Sequence, residues 1–400
     1  MLDFSHIAKK LNANAKLLNI DEKINFLSDL SSHEIAKIVA SAVPFAKIAV
    51  LSTEKSYLEF AMSLCKQLKK ANLRPICVCL QKEKRFSVDG AKGVFSLAED
   101  VRYLIVTDTA LSEIGLYFAT VRNIPALFIV NGFDFKGVTA SNIFVDNGKL
   151  TEKFTVSAKR IIVFDSNNFN YSDIADGIAM VGSKITALID YKINAVLSGK
   201  EQNGTLIELV EQAIDDLLNL DDTDRHLLAQ KVLCSSFTVE LVRLSDDNFY
   251  NCSSAVITSL LAENVTKESA VGEFFGAKKA IGRFVSAFSV STRGENVCDY
   301  NFIARRICDC SGRNFAEVCK DVLCKLNLLN EYSGGVERLR LLLKNTVQRA
   351  QKEMYKIDKL YKENGGKKVY CSSKISESVE LAGYVGKSVN GLTLVKESGF

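Results

Sequence analysis

No proline follows Pro125 in this 400-residue chain; all three prolines, Pro44, Pro75 and Pro125, lie in its first third. Proline has no backbone N–H, breaks helix interiors and punctuates loops. Its confinement to the first part therefore predicts a loop-rich first part and a helical remainder.

The hydrophobic pattern agrees. AKIAVLST (46–53), RPICVCLQ (74–81), VRYLIVTD (101–108), IPALFIVN (124–131) and RIIVFDS (160–166) are short apolar runs of strand length. KSYLEFAMSLCKQLKKAN (55–72) and LSEIGLYFATVRN (111–123) have helical spacing between them. Strands alternating with helices predict βαβ units and a parallel sheet. SNIFVDNGKLTEKFTV (141–156) predicts a hairpin turning at Asp146-Asn147-Gly148, where glycine supplies a positive φ. Residues 1–44 read as a helical extension of two or three short amphipathic helices. After residue 170 helical periodicity dominates, from 171–199, with Gly199 as a C-cap, through 204–219, 223–245, 251–264, 268–292, 300–309, 314–329, 335–363 and 373–388. The expected fold is thus α/β plus all-α: an extension over 1–44, a Rossmann-like, mostly parallel α/β domain over 45–166, and an all-helical domain over 167–400.

Charge excludes some partners. Fifty-one Lys and Arg against 47 Asp and Glu leave a formal charge of +4, too weak a field to argue for nucleic acid. The helix at 335–363 has a basic excess, but its stripe Leu339, Leu343, Val347, Ala350, Met354, Ile357 and Tyr361 is ordinary core spacing. No apolar run of about 18 residues predicts membrane insertion. The N-terminal text lacks a signal-peptide core, and 11 cysteines without CxxC suit reduced thiols in the cytoplasm. Cys308, Cys310, Cys319 and Cys324 read as buried helical thiols, with a structural zinc site as the alternative. Gly386-Lys387-Ser388 has Leu381 where a P-loop needs glycine.

Histidine is scarce: His6, His33 and His226 are all there is, and His226 sits in a helix start, TDRHLLAQ. Zinc and iron redox sites usually draw on imidazole ligands, so a multi-histidine site in the helical half is excluded.

The order of elements, with SKITALIDY (183–191), the hairpin NGK (147–149) and FFGAKKAIG (274–282), resembles the iron-containing alcohol dehydrogenase and dehydroquinate synthase-like superfamily. Within it the chain is most similar to sn-glycerol-1-phosphate dehydrogenase and glycerol dehydrogenase. The resemblance implies NAD(P), a catalytic Zn, Fe or Ni ion and a homo-oligomer. It also implies where ligands belong. The family's metal-binding Asp falls on Met180, the first His of its HxxxH on Ala255, with Ser259 at the other end, and the His of its HG on Phe275. A thioether, a methyl and a phenyl ring cannot replace a carboxylate and two imidazoles. The glycine-rich turn that cradles a pyrophosphate falls on Thr107, Asp108 and Thr109, where side chains crowd the approach and Asp108 repels phosphate. Of the next family element, an Asp-Gly pair, Lys136-Gly137 keeps the glycine.

The expected function is that of a diverged, non-catalytic homologue of glycerol-1-phosphate dehydrogenase, without metal or dinucleotide. Two alternatives stand beside it. One is an active NAD(P)-dependent, metal-assisted polyol or polyol-phosphate oxidoreductase. The other is a binding protein holding a small phosphorylated ligand on Lys136, Lys184 and Lys278. Lys184 and Asp190 are the catalytic candidates, and their plainer reading is a structural polar pair. If the three amines converge, they need pairing, for which Glu273, Asp134 and Asp190 are at hand.

Overall fold

The computed structural model describes residues 3–80, 94, 100–133, 135–146, 151–165, 169, 173–198, 201–219, 225–246, 249, 251, 254, 258, 262, 264–265, 269–289 and 335–370. The chain divides into two compact units: residues 1–174 with 222–247, and residues 175–221 with 248–400.

The first unit is built on a six-stranded sheet of order β1-β8-β5-β4-β2-β3. Its strands are β1 (Ile24–Ser28), β2 (Lys47–Ser52), β3 (Arg74–Cys79), β4 (Val101–Val106), β5 (Ala126–Val130) and β8 (Arg160–Phe164). Every pairing in it is parallel. β5 is buried at every residue, as a strand covered on both faces must be. One face carries Ile48, Val50, Tyr103, Ile105, Leu127, Ile129 and Val163, alternate residues of four strands. They pack against Ile35 and Val39 of α2 (Ser32–Ala42) and Leu64 and Leu68 of α4 (Met62–Lys70). α4 continues from α3 (Glu54–Ser56) through a π-helical turn, Tyr57–Ala61. On the opposite face lies α5 (Ser112–Arg122), so close that a Cβ on Gly115 would stand 2.6 Å from Val106 Cγ2.

The N-terminal region differs from the sequence expectation. It forms α1 (Phe4–Leu17), then a strand, β1, then α2. β1 is an edge strand beside β8. Its outer backbone is closed by one side chain: Asn12 of α1 donates to Phe26 O at 2.8 Å and accepts from Phe26 N at 2.8 Å. The amide does there what a neighbouring strand would do. The other edge, β3, carries Pro75, which suits an edge because it has no N–H to give. The hairpin forms from β6 (Asn142–Asp146) and β7 (Thr151–Thr155), antiparallel and outside the main sheet. Asn147 and Gly148 of its turn, Gly199 and Asp134 lie outside the described residues.

A second difference concerns the long helix α9 (Arg225–Ser245). The expectation assigned it to the helical half, but it belongs to the first unit. Phe237 decides this. Its ring stacks on Phe135 at 3.7 Å and meets Phe26 and Phe164 edge-on at 5.5 and 5.3 Å. Asn14 Nδ2 donates to Thr238 Oγ1 at 3.0 Å one residue on.

The second unit is helical among its described residues. α7 (Ile174–Ser198), α8 (Gly204–Leu218), α10 (Ala270–Ser289) and α11 (Gly335–Glu363) are its long elements. A Cβ on Gly182 would stand 2.5 Å from Phe274 and 2.8 Å from Ile357, so α7 lies against both α10 and α11. α11 ends in a Schellman motif: Gly365 takes φ +79° while Gly366 N donates to Tyr361 O and Gly365 N to Lys362 O. The expected helices at 300–309, 314–329 and 373–388, and with them Cys308, Cys310, Cys319, Cys324 and the Gly386-Lys387-Ser388 stretch, lie outside the described residues.

Candidate functional site

Two places carry the residues singled out by the sequence, one in each unit.

In the first unit, β4 ends at Val106 and the chain turns into a short 3-10 segment, Thr109–Leu111, before α5. Thr107 is buried. Its hydroxyl donates to Leu51 O at 3.1 Å and lies 3.0 Å from the Ser56 hydroxyl. Asp108 turns its carboxylate back on its own chain. Oδ1 accepts from Ala110 N at 2.9 Å, and Oδ2 accepts from Thr53 Oγ1 at 2.6 Å. Thr109 O accepts from Ser112 Oγ at 2.6 Å. The start of a helix is where a phosphate would meet free N–H groups. Here an internal carboxylate takes that position and a threonine hydroxyl holds it there. Lys136 begins α6 (Lys136–Thr139), and its side chain lies outside the described residues. At Gly137 a Cβ would stand 3.0 Å from Ser112 Cβ, so this glycine lets α6 come up against the start of α5.

In the second unit a layer of buried polar side chains joins α7, Asn251, Ser254, Thr258 and α10. Lys184 and Glu273 form an ion pair at 2.9 Å, with side chains only 3% and 8% exposed. Ser183 Oγ donates to the same carboxylate oxygen at 3.3 Å and to Met180 O at 2.8 Å. Thr186 Oγ1 donates to Asn251 Oδ1 at 2.8 Å, and Asn251 Nδ2 donates to Ser183 O at 2.6 Å. Ser254 Oγ donates to Glu273 O, and Thr258 Oγ1 to Gly272 O at 2.7 Å. These two hydroxyls bond successive backbone carbonyls of α10 beside Gly276. A Cβ on Gly276 would stand 2.2 Å from Ser254 O.

The residues at the positions where the resemblance puts metal ligands are apolar or lie outside the described residues. Met180 and Phe275 are buried. Lys279 Nζ stands 5.8 Å over the Phe275 ring. Ala255 and Ser259 lie outside the described residues. The carboxylate of Glu273, two residues from Phe275, is engaged by an ammonium group, so with Met180 and Phe275 beside it this set of donors does not fit a divalent metal ion. Among the described residues no group of three or more His, Cys, Asp or Glu is placed to hold one.

Of the catalytic candidates, Lys184 has Glu273 as its ion-pair partner. Asp190 is buried, six residues further along α7. The expected convergence of amines needs correction for Lys278. It pairs with Asp358 of α11 at 2.6 Å and lies 5.4 Å over the Phe274 ring. Glu273 and Lys278, five residues apart on one helix, point about 140° apart at 3.6 residues per turn. Lys184 and Lys278 are thus held by different carboxylates. Asp358 also accepts from Lys362 at 2.6 Å. Burial raises its carboxyl, but hydrogen bonds from the two lysines outweigh that and hold it below the usual aspartate value. His226 is exposed near the start of α9.

The sequence reading missed Asn251, Ser254, Thr258 and Asp358. Two spacings carried a signal. Gly272 and Gly276 stand four apart on α10, and Ser254 and Thr258 stand four apart in the sequence. At Gly276 the missing side chain lets the Ser254 carbonyl come up against α10.

No family model matches the sequence, and no curated protein matches it. Solved structures do. An iron-containing alcohol dehydrogenase shares 10% identity, with 90% of each chain covered and a TM-score of 0.55. Glycerol dehydrogenase from Schizosaccharomyces pombe shares 9% identity over 84% of this chain and 91% of that one, with a TM-score of 0.50. An iron-containing alcohol dehydrogenase from Thermotoga maritima shares 10% over 94% and 96%, again at 0.50. Taken with the parallel sheet and the helical second unit, these likenesses show that the chain has the fold of the iron-containing alcohol dehydrogenases.

Proposed function

We propose that this chain is a diverged, non-catalytic relative of the polyol dehydrogenases, nearest to glycerol-1-phosphate dehydrogenase. In it internal contacts have replaced both metal and dinucleotide. The observation that carries this reading is the buried Lys184–Glu273 pair. It stands one helical turn from Met180 on α7 and two residues from Phe275 on α10, beside two positions where the family resemblance puts metal ligands. An ammonium group there opposes a divalent cation, and the carboxylate that could ligate one is already neutralised. The Asp108 cap at the helix start supports the same reading for the dinucleotide. The small-anion alternative is disfavoured, because Lys184 and Lys278 each hold a carboxylate.

The test is metal content by mass spectrometry of the purified protein, with calorimetric titration of NADH and NADPH. Neither a stoichiometric metal nor micromolar dinucleotide affinity is expected. One equivalent of zinc, iron or nickel, lost on chelation together with polyol oxidation, would overturn the proposal. A Cys310→Ser, Cys319→Ser variant separates that result from zinc held by the cysteines.

A further inference from the structure

Two basic side chains are buried among the described residues, Lys184 and Arg160. Lys184 has the Glu273 carboxylate at 2.9 Å. Arg160 opens β8 and is 4% exposed, yet no carboxylate among the described residues pairs with it. Its side chain bonds main-chain carbonyls instead. Nε donates to Ala158 O at 3.3 Å and Nη1 to Val138 O at 3.1 Å. The guanidinium is thereby fixed between the approach to β8 and the short helix α6. Nothing in the proposed function uses it.

A guanidinium carries N–H donors on all three nitrogens and accepts nothing. Here Nε and one N–H of Nη1 are used. The second N–H of Nη1 and both of Nη2 have no partner among the described residues. The neighbouring charges are of the same sign. Lys159 precedes Arg160 in the chain, and Lys23, whose carbonyl accepts from Arg160 N at 2.9 Å, precedes its β1 partner Ile24. Both lysines are exposed. Burial lowers the Arg160 guanidinium to about 10, so it stays charged at neutral pH. Two neutral carbonyls soften that charge without cancelling it, and a buried charge is costly unless it is paired.

We infer that Arg160 holds a small monovalent anion of the chloride type, which supplies the counter-charge of a buried site between β8 and α6. Charge balance sets the class. One monovalent anion neutralises one guanidinium. A sulfate or phosphate dianion leaves net negative charge out of water and costs more to desolvate. Near-complete burial of the arginine favours an ion of the size of chloride or nitrate over an organic carboxylate or a phosphate ester. The donors left on Nη1 and Nη2 make the charge-assisted hydrogen bonds to it. The site does not depend on the proposed function, because neither metal nor dinucleotide enters it.

The experiment follows thermal unfolding of the full chain while potassium gluconate is exchanged stepwise for potassium chloride. Ionic strength is constant, so screening stays fixed and only the anion changes. The wild-type midpoint should rise and level off, by about 2–4 °C once chloride is about tenfold above its dissociation constant. Nitrate should act in the same way. In Arg160→Gln the rise should vanish. A flat wild-type midpoint overturns the inference. So does an equal rise in Arg160→Gln, which would place the bound chloride elsewhere. Where that variant fails to fold, chloride-35 NMR of the wild type decides. Excess line width that nitrate displaces is the expected result, and a line width that the protein leaves unchanged, or that nitrate does not reduce, overturns the inference.

Discussion

The turn after β4 and the polar layer of the second unit are two solutions to one problem, a position where the resemblance puts a ligand. At the turn, a single carboxylate, Asp108, caps a helix start beside the surface, held by one hydroxyl and one N–H. In the second unit, two charges and several hydroxyls are packed out of water between helices. A cap of the first kind contributes about 0.5–2 kcal/mol. A buried pair of the second kind adds little over an apolar pair of the same shape, yet removing one partner costs about 3–5 kcal/mol because the other charge is stranded. The first place is thus closed by a removable contact. The second is closed by interdependence, and reopening it endangers the fold.

The largest expected effect therefore comes from Lys184→Met. It should lower unfolding stability in urea by about 3–5 kcal/mol, while Lys184→Met with Glu273→Leu recovers most of the loss. A double variant as unstable as the sum of the singles would show that the two residues do not act as a pair. Next comes Gly276→Ala. The added methyl meets the backbone carbonyl of Ser254, and overpacking of this sort costs about 1–3 kcal/mol. An unchanged urea midpoint would mean that the helices are further apart than described.

At the turn, Asp108→Ala should cost about 0.5–2 kcal/mol as a lost cap. It should also gain thermal stabilisation by inorganic pyrophosphate that the wild type lacks. A loss of stability without that gain would leave Asp108 a cap only and weaken its comparison with the buried pair. The smallest effect is on pH dependence. The folded-state value of Asp358 is depressed, so its contribution is present above the unfolded value, about 3.9, and disappears as pH falls through the folded one. The acid limb of the stability curve should be shallower in Asp358→Asn, by calorimetry between pH 2 and about 5.

Strands β2, β4, β5 and β8 were legible because each contains at least four consecutive apolar residues, the mark of a strand buried on both faces. β1 was not. INFLS has no more than two apolar residues in succession, and it is a strand only because β8 lies on one side and the Asn12 side chain on the other. α9 reads as a helix from its text, yet nothing local says which unit it joins. That depends on Phe237 meeting Phe26, Phe135 and Phe164 from distant parts of the chain.

The same division runs through the candidate site. By itself the sequence determined which chemical groups stand at the carried-over positions: a thioether at Met180, a phenyl ring at Phe275, and a carboxylate among threonines at residues 107–109. Side-chain chemistry is a property of each residue alone, and the order of elements follows from local periodicity and proline placement. Only the tertiary structure decided which charges meet. Lys184 finds Glu273 across 89 residues of chain, Lys278 finds Asp358 across 80, and Asp108 finds Thr53 across 55. A lysine is drawn to any carboxylate within a few ångströms, and the one that comes within reach is set by how helices and strands pack.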